Sequence, residues 1–217
     1  MTRVLNIYNT LTSCSTGALS LLLKHRVKKG KEDPNRLSER MGEASHPRPA
    51  GHLAWFHAAS VGEAQSVLIL LKTFRATFPE LRFLVTTGTL TSARLMEKRL
   101  PDWAIHQYYP VDHPKWVRKF LDHWRPDMAI WVESEIWPNM LMEIKNRQFP
   151  IALLNARMSR KSFKRWSLVP TSARDLLNVF DLFLAQTESD ANSYRLLGAR
   201  NIQVTDSLKF AAAPLPV

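Results

Sequence analysis

The sequence predicts an α/β domain, a Rossmann-like parallel sheet with helices on both faces, preceded by an apolar amino-terminal helix. Three observations carry that expectation. Seven short apolar runs recur along the chain, each of strand length. The segments between them have room for one helix each, and the clearest show apolar residues at helical spacing. Pro, Asp, Gly or Thr bounds most of the runs, as at loops. Short apolar strands alternating with helices pack as a parallel sheet covered on both sides. Ligands of such a sheet bind outside the carboxyl ends of its strands. Residues just after a strand therefore carry most of the functional argument.

At the amino terminus, no residue from Val4 to Leu23 is charged, and Arg3 and Lys24 bound the stretch. Twenty helical residues span about 30 Å, the thickness of a bilayer's hydrocarbon core. Asn6, Asn9, Thr10, Thr12, Ser13 and Ser15 dilute the apolar signal. The cluster Lys24-His-Arg-Val-Lys-Lys-Gly-Lys31 follows at once, as on a cytoplasmic flank. Its charges follow the apolar part, whereas those of a cleaved signal peptide precede it. Residues 1–30 are therefore expected to form an uncleaved anchor or an interfacial helix with a basic collar. A surface helix packed on the domain is the alternative.

Residues 31–210 hold the strand runs: Leu53–His57, Leu81–Val85, Ile105–Tyr109, Met128–Val132, Ile151–Leu154, Leu182–Ala185 and Ile202–Val204. Between them, Val67, Leu70, Leu71, Phe74 and Phe78 share one helical face, as do Trp116, Val117, Phe120 and Trp124. Residues 211–217, Ala-Ala-Ala-Pro-Leu-Pro-Val, read as a linker or a truncated end.

Composition narrows the function. Of 217 residues, 45% are hydrophobic, enough to exclude wholesale disorder. The single cysteine, Cys14, excludes an intramolecular disulfide framework and cysteine-pair zinc sites. Thirty Lys and Arg against nineteen Asp and Glu leave a charge of +11. Such a charge points to an anionic partner: nucleic acid, a membrane surface or an anionic substrate. A second basic cluster, Arg157, Arg160, Lys161, Lys164 and Arg165, contains no acid. No nucleic-acid-binding motif accompanies it.

Three strand ends can carry chemistry. After the first run come Ala59-Ser60-Val61-Gly62-Glu63, with Gly62 expected to allow a tight turn and close ligand approach. Glu63 falls in the first turn of the next helix, where the free amides favour a carboxylate. There it can accept a proton from a substrate hydroxyl, or simply satisfy the helix end. After the fourth run come Glu133-Ser-Glu135-Ile-Trp137-Pro138. The two acids share a side if extension persists and diverge if the helix starts early. After the fifth, Asn155-Ala-Arg157-Met-Ser159-Arg160 places guanidinium, hydroxyl and amide groups together, suited to phosphate or carboxylate. Lys209 follows the last run. His57 precedes the glutamate turn and either enters the site or is a satisfied core residue. No dinucleotide or P-loop fingerprint and no metal-ligand spacing is present.

Together these segments resemble the 3-deoxy-D-manno-octulosonic acid (Kdo) transferase family. The resemblance rests on Arg36-Leu-Ser-Glu-Arg-Met-Gly42, Trp55-Phe-His-Ala-Ala-Ser-Val-Gly-Glu63 and Val132-Glu-Ser-Glu-Ile-Trp-Pro138. It continues through Asn155-Ala-Arg-Met-Ser159, Ala185-Gln-Thr-Glu188, Leu197-Gly-Ala199 and Ser207-Leu-Lys-Phe210. The resemblance implies the amino-terminal domain of a GT-B, inverting glycosyltransferase at the cytoplasmic face of the bacterial inner membrane. It implies transfer of Kdo from CMP-Kdo to the lipid A precursor, lipid IVA, without metal or other cofactor. Glu63 matches the general base, and Glu133 and Lys209 match positions that support the transition state. Ser60, Gly62, Arg157 and Arg160 are the expected acceptor contacts. Nucleic acid is not an expected partner. Where the family usually has glycine, this chain has Asp206. It ends about where the amino-terminal domain should, so the donor-binding half is expected to be missing. The expectation is thus an acceptor-binding, base-carrying half, or an inactive remnant that binds membrane or lipid A precursor.

Overall fold

The computed structural model describes residues 2–133 and 135–205. Helices α1 (Arg3–Cys14) and α2 (Thr16–Lys28) lead into 3-10 turns over Pro34–Met41, and a repeating α/β body follows. Its elements are β1 (Leu53–Ala58), α3 (Val61–Thr77), β2 (Arg82–Thr87), α4 (Leu90–Arg99), β3 (Ala104–Tyr108), α5 (Pro114–Trp124) and β4 (Met128–Val132). Then come α6 (Pro138–Arg147), β5 (Ile151–Ala156), α7 (Arg160–Ser167), α8 (Pro170–Leu177), β6 (Leu182–Ala185), α9 (Glu188–Leu196) and β7 (Ile202–Val204). Each of the seven apolar runs is a strand. All pair in parallel, in the order β3-β2-β1-β4-β5-β6-β7.

That order places the site. From β1 the chain winds outward through β2 to β3, then returns to place β4 on the other side of β1. The winding reverses between β1 and β4, and the loops leaving their carboxyl ends diverge to open a crevice there. Glu63 follows one of these strands and Glu133 and Glu135 the other.

Alternation along the strands divides the core. Leu53 and Trp55 of β1 pack with Ala129 and Trp131 of β4 and with Phe120, Trp124, Met140 and Leu176 from α5, α6 and α8. Ala54, Phe56 and Ala58 face the other way, onto Val67 and Leu71 of α3 and Met96 of α4. Buried aromatic side chains cluster on the first face: Trp55 lies 5.2 Å from Phe120 and 5.8 Å from Trp131, centroid to centroid.

The motif Arg36–Gly42 is a clamp on the edge strand. Glu39 Oε2 accepts the Tyr108 backbone N–H at 2.7 Å, and Arg36 Nε donates to Glu39 Oε1 at 2.8 Å. Gly42 ends the segment at φ +80°, and a Cβ there would lie 2.0 Å from the Trp116 carbonyl oxygen. Only glycine fits.

Two expectations are corrected. Among the described residues no helix is long and apolar enough to cross a membrane. The uncharged stretch is two helices, broken at Ser15. Thr12 Oγ1 donates back to the carbonyls of Tyr8 and Asn9, and Ser15 Oγ donates to that of Thr12. Such back-bonding competes with the helical ladder and bends or ends it. The polar residues that dilute the apolar run dock the first helix: Tyr8 donates to Asp112 (3.0 Å), Asn9 to Asn139 (2.9 Å), and Asn139 to Thr12 (3.0 Å). Leu5 and Leu23 are buried, whereas Val4, Ile7, Leu11, Leu21 and Leu22 are exposed. The second correction lies between β5 and β6, where two helices stand instead of one. Exposed Leu168 and the restricted residue before Pro170 separate them, and Pro170 opens α8 where its missing N–H is harmless.

Candidate active site

Ser60 and Glu63 form a reciprocal cap at the start of α3. Glu63 Oε1 accepts from Ser60 Oγ at 2.6 Å, and Glu63 Oε2 accepts the Ala59 backbone N–H at 2.7 Å. The Glu63 N–H points back to Ser60 Oγ at 3.4 Å. Ser60 is extended (φ −112°, ψ 167°) and turns the chain from strand to helix. Gly62 is therefore not the turn residue: it lies in the first helical turn. The helix-end reading of Glu63 holds: the carboxylate caps α3 and is oriented by doing so. Each oxygen accepts one bond and has a second lone pair with which it can accept another. Burial raises the Glu63 pKa above the ordinary glutamate value, and the Glu133 charge adds to the rise. A raised pKa in a crevice is what a general base near neutral pH requires.

Across the switch point, β4 ends at Val132 and Glu133 adopts φ +64°. This left-handed residue stops the extension, and α6 begins at Pro138. The acids therefore neither continue a strand together nor sit in an early helix. Asn155, near the end of neighbouring β5, is also left-handed (φ +54°), where the β5–β6 register shifts. Two non-glycine residues in this region on adjacent strand ends mark a backbone held in place by its surroundings. Glu135 Oε2 accepts from Trp137 Nε1 at 2.5 Å. Its pKa is raised by burial and, less, by the Glu63 charge. Glu63 thus interacts with both acids of the opposite strand end.

Between α2 and this edge lies a cavity of about 360 Å³. Glu135, Trp137, Tyr109, His57, Arg40 and the α2 leucines line it. His57 takes neither sequence reading alone, being 1% exposed and yet part of the cavity wall. Its Nδ1 is 2.9 Å from Thr86 Oγ1, and its ring centroid lies 4.1 Å from that of Tyr109, tilted by 33°. Burial pushes its pKa down to about 3, so it is neutral in the physiological range.

Arg157 and Arg160 are both exposed at the carboxyl end of β5 and the start of α7, where Ser159 caps the helix by accepting from Ser162 N at 3.1 Å. Beyond the same edge, Gln186 Nε2 donates to the Asn155 carbonyl at 3.1 Å, joining two of the sequence motifs. Lys209 and Asp206 lie outside the described residues. Among the described residues no group of three or more His, Cys, Asp or Glu is arranged to hold a metal ion. Arg40, Tyr109 and Asp112 were not singled out by sequence reasoning. Arg40 lies inside a quoted motif, which was the available signal; Tyr109 and Asp112 had none.

Comparison with known proteins bears on this geometry. The family model "3-Deoxy-D-manno-octulosonic-acid transferase (kdotransferase)" matches residues 35–212. A 3-deoxy-D-manno-octulosonic acid transferase of Rickettsia bellii is 39% identical over 188 residues, covering 87% of this chain and 45% of the relative. A protein of Arabidopsis thaliana, described as a probable mitochondrial enzyme of that name, is 36% identical, covering 90% and 44%. One of Haemophilus influenzae is 29% identical, covering 96% and 48%. The chain thus spans less than half the length of these relatives. The solved S. aureus MnaA-UDP co-structure superposes with a TM-score of 0.51 at 15% identity, over 73% of this chain and 46% of that one, which shows a shared fold.

Proposed function

Because the chain belongs to the 3-deoxy-D-manno-octulosonic acid transferase family, we propose that it supplies the acceptor-binding, base-carrying half of a Kdo transferase. The donor is CMP-Kdo and the acceptor the lipid A precursor, lipid IVA. The observation that carries this reading is the Glu63 carboxylate, fixed by Ala59 N and Ser60 Oγ at the switch point with a raised pKa.

In the proposed reaction, Glu63 removes the proton of an acceptor sugar hydroxyl as that oxygen attacks the anomeric carbon of Kdo. The bond from that carbon to the phosphate oxygen breaks, and CMP leaves with the electron pair. Attack from the face opposite the leaving group inverts the anomeric centre. The Glu133 carboxylate stabilises the positive charge that develops on the sugar, as acids do in oxocarbenium-like transition states. Lys209 has the matching role for negative charge. Ser60 acts through Glu63 by orienting it, Gly62 puts no side chain in the first turn of α3 beside the acceptor, and Arg157 and Arg160 take its anionic groups. No metal or other cofactor enters this scheme.

The protein is further proposed to work against the cytoplasmic face of the inner membrane. Val4, Ile7, Leu11, Leu21 and Leu22 are exposed apolar side chains. The exposed Lys24, Lys28, Lys29 and Lys31 follow directly. Apolar side chains beside a basic collar bind at an anionic lipid interface without spanning it.

The test supplies CMP-Kdo and lipid IVA to this chain alone and to the chain joined to a family carboxyl-terminal domain, each with and without Glu63→Gln. Transfer by the joined protein that is lost with Glu63→Gln supports the reading. Undiminished transfer by the variant overturns it.

A further inference from the structure

Resting on that reading of the acceptor side, we propose that the groove between α2 and the strand ends binds an acyl chain of the acceptor, gripping the chain at its ester or amide carbonyl. Leu19, Leu22, Leu23 and Arg26 are spaced i, i+3, i+4 and i+7, so one face of α2 forms one wall. His57, Ala59, Tyr109, Pro110, Val111 and Trp137 are on the facing wall. The volume of about 360 Å³ is that of a small-ligand pocket. Leucine and aromatic walls of this kind suit a hydrocarbon chain.

The polar atoms of the groove specify more than hydrocarbon. Arg40 Nε, Tyr109 Oη and His57 Nε2 are buried and make no hydrogen bond. An unsatisfied buried donor costs about 1–3 kcal/mol, so the Arg40 N–H and the Tyr109 O–H in one groove call for an oxygen-bearing occupant. The charge of Arg40 is already answered by Glu32, whose Oε2 lies 3.5 Å from Arg40 Nε, while Glu32 Oε1 accepts from Arg26 at 2.8 Å. Asp112 and Glu135 also line the groove. A second anion would meet those carboxylates, whereas a neutral carbonyl would not. A carbonyl oxygen has two lone pairs and no proton, matching the Arg40 N–H and the Tyr109 O–H. Glu135 lines this groove and feels the Glu63 charge, so an acyl chain seated here would bring its sugar toward the proposed base.

Equilibrium dialysis below the critical micelle concentration tests the groove with three probes: N-decanoylglucosamine, decyl glucoside and glucosamine. The first carries chain and carbonyl, the second the chain alone, the third neither. This chain is expected to bind the first about tenfold more tightly than the second, and glucosamine not measurably. Tyr109→Phe should reduce that preference severalfold with decyl glucoside unchanged. Leu19→Trp, which fills the groove from a partly exposed position, should abolish binding of both alkyl probes. Equal affinity with and without the carbonyl, or undiminished alkyl binding by Leu19→Trp, overturns the inference. The two ideas fail separately. Persistent transfer by the joined Glu63→Gln protein removes the base assignment and leaves probe binding intact. Loss of that transfer beside probes indifferent to both groove variants removes the acyl groove alone.

Discussion

Glu63 joins a folding role, the cap of α3, to the proposed role of general base. Its hydrogen bonds from Ala59 N and Ser60 Oγ favour the charged form and lower its pKa, while burial and the Glu133 charge raise it, and the second pair prevails. As the proposed base it would work only when deprotonated, so activity should fall as pH drops through this raised pKa. The acid limb of kcat/KM in the joined enzyme should therefore lie above the ordinary glutamate range. Glu133→Gln removes a like charge and should move that limb to lower pH while reducing the rate; an unmoved limb would separate the two acids. Replacing Glu63 by Gln should lower kcat by at least about 10²-fold, the scale of general-base catalysis. Gly42 makes a purely structural demand. Gly42→Ala combines a left-handed φ with a Cβ 2.0 Å from backbone oxygen. It should destabilise by more than about 2 kcal/mol, read as a lower denaturant midpoint.

The elements differ in how far their sequences foretold them. The strands were legible because apolar runs and turn residues report local physics, and seven parallel strands needed nothing further. The placement of Glu63 after β1 and of Glu133 after β4 was legible too. That these strands are neighbours was not, since strand order is fixed by crossovers that leave no local mark. The amino-terminal helices failed for a related reason: hydropathy counts Asn9 and Thr12 as dilution, while their partners stand more than a hundred residues away. Asp112 is the centre of that docking. Its Oδ2 accepts from Tyr8 Oη and Asn139 N (both 3.0 Å) and its Oδ1 from Met140 N (2.9 Å), at the amino terminus of α6. Burial nonetheless raises its pKa from 3.8 to about 6. Between those values the folded state binds more protons than the unfolded one, so this contribution to stability is present below about pH 4 and is lost as pH rises through about 6. The loss is on the order of 3 kcal/mol. Asp112→Asn should flatten the stability profile between pH 4 and 7 in urea titrations. A profile as steep as that of the parent would assign the slope to another group.

At the scale of the molecule, the charge of +11 acquires a direction. Val4, Leu5 and Tyr8 of α1 share a groove with Trp137 and with Trp166 of α7, so the first helix lies beside the second basic cluster. Leu19, Leu22 and Leu23 of α2 share another with Glu135. α1 and α2 therefore both lie beside the loop that follows β4, and α1 also lies beside the second basic cluster. On the proposed function, this arrangement would let a lipid-linked acceptor enter the site without leaving the interface. Binding to vesicles containing anionic lipid should weaken by about 1 kcal/mol for each lysine removed near the surface. The quadruple Gln variant of Lys24, Lys28, Lys29 and Lys31 should thus lose roughly 10³-fold, most at low salt. Neutralising Arg160, Lys161, Lys164 and Arg165 should also weaken binding if this edge faces the lipid. Binding indifferent to the second set would leave α2 as the sole contact and turn the Glu63 edge away from the membrane. Ile7→Asn with Leu11→Asn should reduce the salt-insensitive part of the affinity, which comes from apolar burial and persists on neutral vesicles.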